Sequence, residues 1–173
     1  MLAIARMLVD HGADVNRGAP AAQGSDHMLS PLYFAIGHAD NMVLAEWLLD
    51  HGADPNDGES LYHSTELGHH EGLRLLLAAG ADPKRTNALQ RAMDFHDHAA
   101  VRMLLENGAR ADDFDESEVG GEAPWTMPAL HQAARRMCDA EMVGLLLEAG
   151  ADPAHVHRGA SAYGYARVFG NRD

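Results

Sequence analysis

Cysteine is nearly absent from this chain of 173 residues: the single one, Cys138, has no internal partner. No intramolecular disulfide can therefore hold the fold, and nothing calls for an oxidising compartment. Long apolar runs are missing too. No stretch approaches the roughly 20 apolar residues of a membrane span, and the opening MLAIARMLVDHGADVN places Arg6 and Asp10 where a signal peptide needs an apolar core. These absences predict a soluble, cytoplasmic protein. Basic residues are scarce, with 13 Lys and Arg against 26 Asp and Glu and a formal charge of −13. Such a field repels nucleic-acid backbones and anionic membranes at long range and favours basic partners. Signatures of catalysis are lacking as well: there is no glycine-rich phosphate loop, no G-x-S-x-G elbow and no paired-carboxylate pocket. With 46% apolar residues, the chain is nonetheless equipped to bury a core.

What the sequence has in abundance is one phrase. LLLAAGADPK at Leu75 returns as MLVDHGADVN from Met7, WLLDHGADPN from Trp47, MLLENGARAD from Met103 and LLLEAGADPA from Leu145. The glycines at 12, 52, 80, 108 and 150 are spaced by 40, 28, 28 and 42 residues. Before each of the last four lies a block starting at Ser30, Glu59, Asn87 or Pro128, and these blocks run 22, 21, 21 and 22 residues to their glycine. The connectors absorb the variation: 18, 7, 7 and 20 residues, then 11 to Ser161. A constant block with variable joints is a structural unit copied along the chain.

Each block reads as two short helices. Gly68 to His70 breaks the pattern of its block, after which apolar residues recur at helical spacing through Leu73, Leu76 and Leu77. The glycine stands where a helix C-terminus takes a left-handed residue, and the Asp-Pro that usually follows blocks continuation.

SPLYFAI, PALHQAA and GASAYGYARVFGN, combined with LLLEAGADP-type endings, resemble the ankyrin repeat, with its T-P-L-H-x-A opening and period near 33. The resemblance covers almost the whole chain. It implies an all-α solenoid of helix-turn-helix repeats joined by β-turn fingers, with a concave face that binds proteins. The single domain 1–173 then divides into a half repeat at 1–16, repeats at 30–56, 59–84, 87–112 and 128–153, and a half repeat at 159–173. Two connectors are short for a full finger and two are long. Glu59, Asn87 and Pro128 replace the family's threonine, Asn87 being expected to cap its helix.

Comparison among the blocks separates two faces of the first helix. Leu32 with Ala35, Leu61 with Ser64, Leu89 with Ala92, Leu130 with Ala133 and Tyr163 with Ala166 form a repeated stacking stripe. A second stripe changes at every block: Phe34 and His38, His63 and Leu67, Arg91 and Phe95, Gln132 and Arg136, Tyr165 and Phe169. Stacking alone would favour similar side chains each time, so the varied stripe is the candidate recognition surface, while Glu66, Asp94 and Arg135 beside it read as solvated charges. The connector after Ala109 adds Asp112, Asp113, Asp115 and Glu116 with Phe114 and Trp125, an acidic clamp with aromatic anchors for a basic partner.

Twelve histidines raise the question of a metal. Adjacent His69 and His70 and alternate His96 and His98 lack the i, i+3 or i, i+4 spacing that ligands on one helix face require, and His155 and His157 belong to a finger. No metal or cofactor is expected. Cys138 near His131 is a weak nucleophile–base pair, and the resemblance implies a structural role for His131, holding finger to helix. The expectation is a noncatalytic protein-binding module, with two alternatives: an immunity or antitoxin protein masking a basic toxin, or a structural segment of a longer ankyrin protein. Leu2, Ile4, Met7 and Leu8 in the first half repeat do not form a polar cap, so self-association through an end is also expected.

Overall fold

The structure, a computed structural model, describes residues 2–114 and 126–170. They fall into two compact units, Met1–Ala81 and Asp82–Asp173. In the first unit α1 (Leu2–Asp10) is followed by a hairpin of β1 (Ala19–Pro20) and β2 (Met28–Leu29), antiparallel with Ala19 opposite Leu29. Helix α2 (Pro31–Tyr33) runs into a π-helical turn at Phe34–His38, and α3 (Met42–Asp50), α4 (Ser60–Ser64) and α5 (Glu71–Ala78) complete the unit. The second unit contains α6 (Ala88–Asp94), α7 (His98–Glu106), α8 (Ala129–Arg135), α9 (Ala140–Glu148), the hairpin β3 (Val156–His157) with β4 (Ala160–Ser161), and α10 (Ala162–Phe169). Each block forms the two helices that its periodicity predicts.

Within each unit first helices stack on first helices and second on second. The π turn packs on α4, α1 on α3 and α3 on α5; in the other unit α6 packs on α8, α8 on α10 and α7 on α9. Leu32, Ile36, Leu61, Leu73 and Leu76 fill one core, and Leu89, Met93, Val101, Leu104, Met142 and Leu146 the other. The repeated stripe is buried from Leu32 through Ala133. In the last pair Ala166 is half-buried and Tyr163 departs furthest. Expected on the stacking face, it is 70% exposed, because no second helix follows α10 among the described residues to cover it. Ile4, Met7 and Leu8 are likewise exposed on α1.

The repeated phrase closes each helix pair in one way. Gly12, Gly52, Gly80, Gly108 and Gly150 all have φ between 89° and 103°. The next amide reaches back across the turn, as Ala53 N to Leu48 O at 2.9 Å and Ala81 N to Leu76 O at 3.0 Å. This is the left-handed helix terminus that glycine adopts without a Cβ penalty. The aspartate then folds the next turn: Asp54 Oδ1 accepts from Asn56 N and Asp152 Oδ1 from Ala154 N. Asn16 links successive turns of the first unit, donating to Gly52 O and accepting from Asp54 N.

Helix starts depart from the expectation at the threonine positions. Ser30 caps α2 with its hydroxyl on Tyr33 N at 2.9 Å. Asn87 does not cap: its φ is 58° and its side chain makes no capping bond, and Thr86 Oγ1 accepts from Ala88 N instead. In α4 the capping acceptor is Asp57, two residues ahead of Glu59. The 18-residue connector forms β1–β2 and the final one β3–β4, whereas both seven-residue connectors make turns without strands.

A candidate protein-interaction surface

Two patches emerge from the varied stripe, one in each unit. In the first, Gly37 lets the π turn approach α4, since a Cβ there would lie 3.3 Å from both the His63 Cβ and the Tyr33 ring. The turn widens by one residue, with Ala39 N bonding Phe34 O. Tyr33 Oη then meets His38 Nε2 at 3.1 Å, and Phe34 and His38 lie 5.3 Å apart at the surface. The His63 ring stands edge-on to Tyr33 at 5.0 Å. Its Nδ1 is 2.9 Å from Glu66 Oε2 and its Nε2 3.2 Å from Glu59 Oε2, while His27 takes the other Glu59 oxygen at 2.8 Å. The Glu59 contact, opposed by burial and aided by Glu66, holds the His63 pKa above its ordinary value, and Glu59 is correspondingly lowered by His63. Leu67 is half-buried nearby in sequence.

In the second unit Asp94 is the hub. Arg91 Nη1 lies 3.2 Å from its Oδ2, and Arg136 Nε 2.6 Å from Oδ1. Gln132 Nε2 donates to the same Oδ1 at 2.6 Å. The Arg91 guanidinium carbon sits 4.8 Å from the centre of the Phe95 ring, which is 49% exposed. Two expectations need correction. Gln132 is only 1% exposed, so it supports Asp94 from beneath rather than offering itself to a partner. Asp94 and Glu66 are not freely solvated charges: their side chains are 12% and 26% exposed and ion-paired.

The acidic connector lies partly outside the described residues, and with it Asp115, Glu116 and Trp125. Asp112 is exposed, and its Oδ2 accepts from Asp152 N at 3.2 Å, joining two turns. The Asp113 carbonyl accepts from Gln90 Nε2. Phe114 lies edge-on to His157 at 5.5 Å.

Three histidines tie parts of the repeat together. His131 is 1% exposed and bonds Ala160 O at 3.0 Å, tying helix to finger as the resemblance implies. Burial, ahead of the contribution of His155, lowers its pKa. His69 bonds Asp40 and His98 bonds Asp139, each between turns of its own unit. No group of three potential ligands among the described residues is placed to hold a metal ion. Cys138 is 3% exposed, its thiol directed at Met93 O, and burial pushes its pKa up to about 11. A nucleophile needs the opposite shift. In native protein Cys138 is therefore expected to resist iodoacetamide at pH 8 and to react at the rate of an ordinary thiol once unfolded. Rapid native labelling, read by mass spectrometry, would contradict its burial.

Sequence reasoning missed Tyr33, Glu59 and Asp57. Tyr33 sits between the two stripes, Glu59 was read as a block start at the family's threonine position with no bonding role, and Asp57 read as connector.

Comparison with known proteins bears on the whole arrangement. An ankyrin repeat domain from Acinetobacter baumannii AYE, solved at 1.00 Å, is similar with a TM-score of 0.71 and 21% identity, covering 98% of this chain and 87% of that one. At that identity the likeness speaks to fold alone. A comparison with curated proteins finds no match. The family profile described as ankyrin repeats (3 copies) matches residues 61–157, and the single ankyrin repeat profile matches residues 27–60. Together with the stacked helix pairs, the left-handed glycine ends and the His131 tie, these matches show that the chain belongs to the ankyrin repeat family.

Proposed function

We propose that the chain binds a protein partner through the varied faces of its first helices, without catalysis. Ankyrin repeats generally mediate protein–protein interaction. The observation that carries the reading to particular residues is the contrast between two faces of the same helices. The stacking residues from Leu32 through Ala133 are buried, while Phe34 and Phe95 remain 38% and 49% exposed, Phe34 beside His38 and Phe95 beside the Arg91–Asp94 pair. Rigid aromatics next to preorganised charge are the residue types that dominate interface energies. His38, His63 and Leu67 extend the first patch, and Arg91 and Arg136 the second. The formal charge of −13 favours a basic partner. Asp112, Asp113, Asp115 and Glu116 supply steering and Trp125 an anchor in this reading, which places the protein in the cytoplasm. The exposed Ile4, Met7 and Leu8 offer a surface for self-association.

Capture of partners by the full chain from native cells, followed by binding kinetics, tests this. Phe34→Ala and Phe95→Ala are each expected to raise the dissociation rate several-fold or more, equivalent to about 1 kcal/mol. Neutralising the four connector carboxylates is expected to slow association and flatten its salt dependence. Unchanged dissociation in both aromatic variants would place the interface elsewhere.

A further inference from the structure

His131 sits on α8 with one ring nitrogen engaged and the other stranded. Nε2 lies 3.0 Å from Ala160 O on β4, and because a carbonyl only accepts, this nitrogen carries the hydrogen. Nδ1 is enclosed and bonds nothing. A neutral ring leaves only a bare lone pair there, whereas a second proton can go only to Nδ1 and would set a charged N–H without an acceptor in a residue 1% exposed. The start of α8 offers no remedy. Pro128, three residues earlier at the N-cap, has a side chain with neither hydroxyl nor carboxylate.

Rings surround it on the hairpin and α10 side: His155 and His157 stand edge-on at 5.7 Å and Tyr165 at 5.3 Å. The hairpin also carries Arg158, and α10 carries Tyr163 and Arg167. From the other elements packed on α8 come Arg91 and Asp94 of α6 and Glu141 and Glu148 of α9, with Arg135 and Arg136 on α8 itself and Cys138 and Asp139 just after it. None of these bonds His131. Asp94 is engaged by Arg91, Arg136 and Gln132, and Asp139 by His98. Burial, the largest influence, holds the His131 pKa below its ordinary value, with the Ala160 bond opposing, His155 adding and Asp112 opposing. The Ala160 bond joins α8 to β3–β4, and α10 follows directly from that hairpin and packs on α8. No residue of α10 is buried, whereas α6, α7 and α9 bury Met93, Leu104 and Leu146 completely. The hairpin and α10 therefore have little packing to lose on opening.

We propose that protonation of His131 unlatches β3–β4 and α10 from α8 in one reversible local opening, which loosens this part of the second unit in mild acid while α6, α7 and α9 stay folded. The opening uncovers the face of α8 on which α10 packs. Once released, the ring titrates as an ordinary histidine, so opening takes up one proton: its equilibrium constant rises as pH falls below about 6.5, by up to about tenfold per unit, and levels off below the depressed folded value. Above that window the latch is closed and insensitive to pH.

Amide hydrogen exchange of the full chain between about pH 7.5 and 5, corrected for the intrinsic pH dependence of exchange, tests this. Amides of the hairpin and α10 are expected to lose protection by up to about tenfold per unit below about pH 6.5, with those of α7 and α9 unchanged. In His131→Gln, whose amide donates but does not titrate, the slope is expected to vanish, whereas His155→Gln retains it. Where His131→Gln leaves α10 unprotected at every pH, the wild-type chain decides: acid loss confined to the hairpin and α10, with the His131 Cε1–H midpoint below the ordinary histidine range, upholds the latch, and a midpoint at or above that range overturns it. Protection of α10 indifferent to pH also overturns the proposal, as does acid loss spread equally through both units, a slope that survives in His131→Gln or one that disappears in His155→Gln.

Discussion

Leu76→Ala is expected to destabilise the protein by about 2 to 5 kcal/mol, the range for truncating a fully buried leucine and leaving a cavity. Leu76 has 0% exposure on α5, a helix that packs on both α3 and α4. Its carbonyl also receives Ala81 N at 3.0 Å in the turn around Gly80. The truncation therefore removes the packing of the helix just before the turn that ends it. Leu77→Ala, one residue along and half-buried, is expected to cost distinctly less. Denaturant titration of both variants provides the comparison. A loss below about 1 kcal/mol for Leu76→Ala would contradict its place in the core.

The repeat architecture was legible because it depends on local, recurring chemistry. A glycine at each helix end, a constant block length and an apolar pair three residues apart are visible in one dimension, and the structure places them as read. The candidate surface was less legible because periodicity gives a residue's angular position without its depth. Gln132 and Arg136 share a stripe at i, i+4, yet the first is buried on Asp94 and the second half-exposed. The π turn at Phe34–His38 shifts its residues by one position, and no sequence pattern announces that shift. It accompanies a close approach to His63 at Gly37, where a Cβ would lie 3.3 Å from the His63 Cβ. Tyr163 fits the stacking stripe by spacing, but a stripe is buried only where another element covers it.

Histidine makes stability depend on pH in opposing directions. His63 is raised by Glu59 and His98 by Asp139. Their contributions are fully present below the ordinary value of 6.5 and fade as pH rises through the elevated folded values. His131, lowered by burial, acts the other way: the unfolded chain takes up its proton first, so stability falls as pH drops below 6.5 toward the depressed folded value. The charged pairs are surface features with modest individual weight, whereas His131 is enclosed and joins helix to finger.

The second large effect belongs to a residue that the repeat pattern hides. Asp57 lies two positions before Glu59 and collects four donors: Ser30 Oγ, Ser60 Oγ at 2.6 Å, Ser60 N at 2.8 Å and Glu59 N at 3.0 Å. It thereby caps α4 and also holds the serine whose hydroxyl caps α2. Ser60 is 0% exposed, so removing the carboxylate strands a buried hydroxyl that water does not reach. Lost capping costs about 1 kcal/mol, and a buried group left without its charged partner adds about 1 to 3. Asp57→Ala is thus expected to lower stability by about 2 to 4 kcal/mol on those scales, a large effect for a half-buried residue in a seven-residue connector. Asp57→Asn keeps an oxygen for the backbone amides but turns an NH2 toward the hydroxyls of both Ser30 and Ser60, and is expected to lose about 1 kcal/mol. Denaturant titration measures both losses, and amide hydrogen exchange locates them, with faster exchange expected at Tyr33 and Ser60 in Asp57→Ala. A loss under about 1 kcal/mol, or acceleration confined to the connector, would show that the two helix starts are held by something other than this carboxylate.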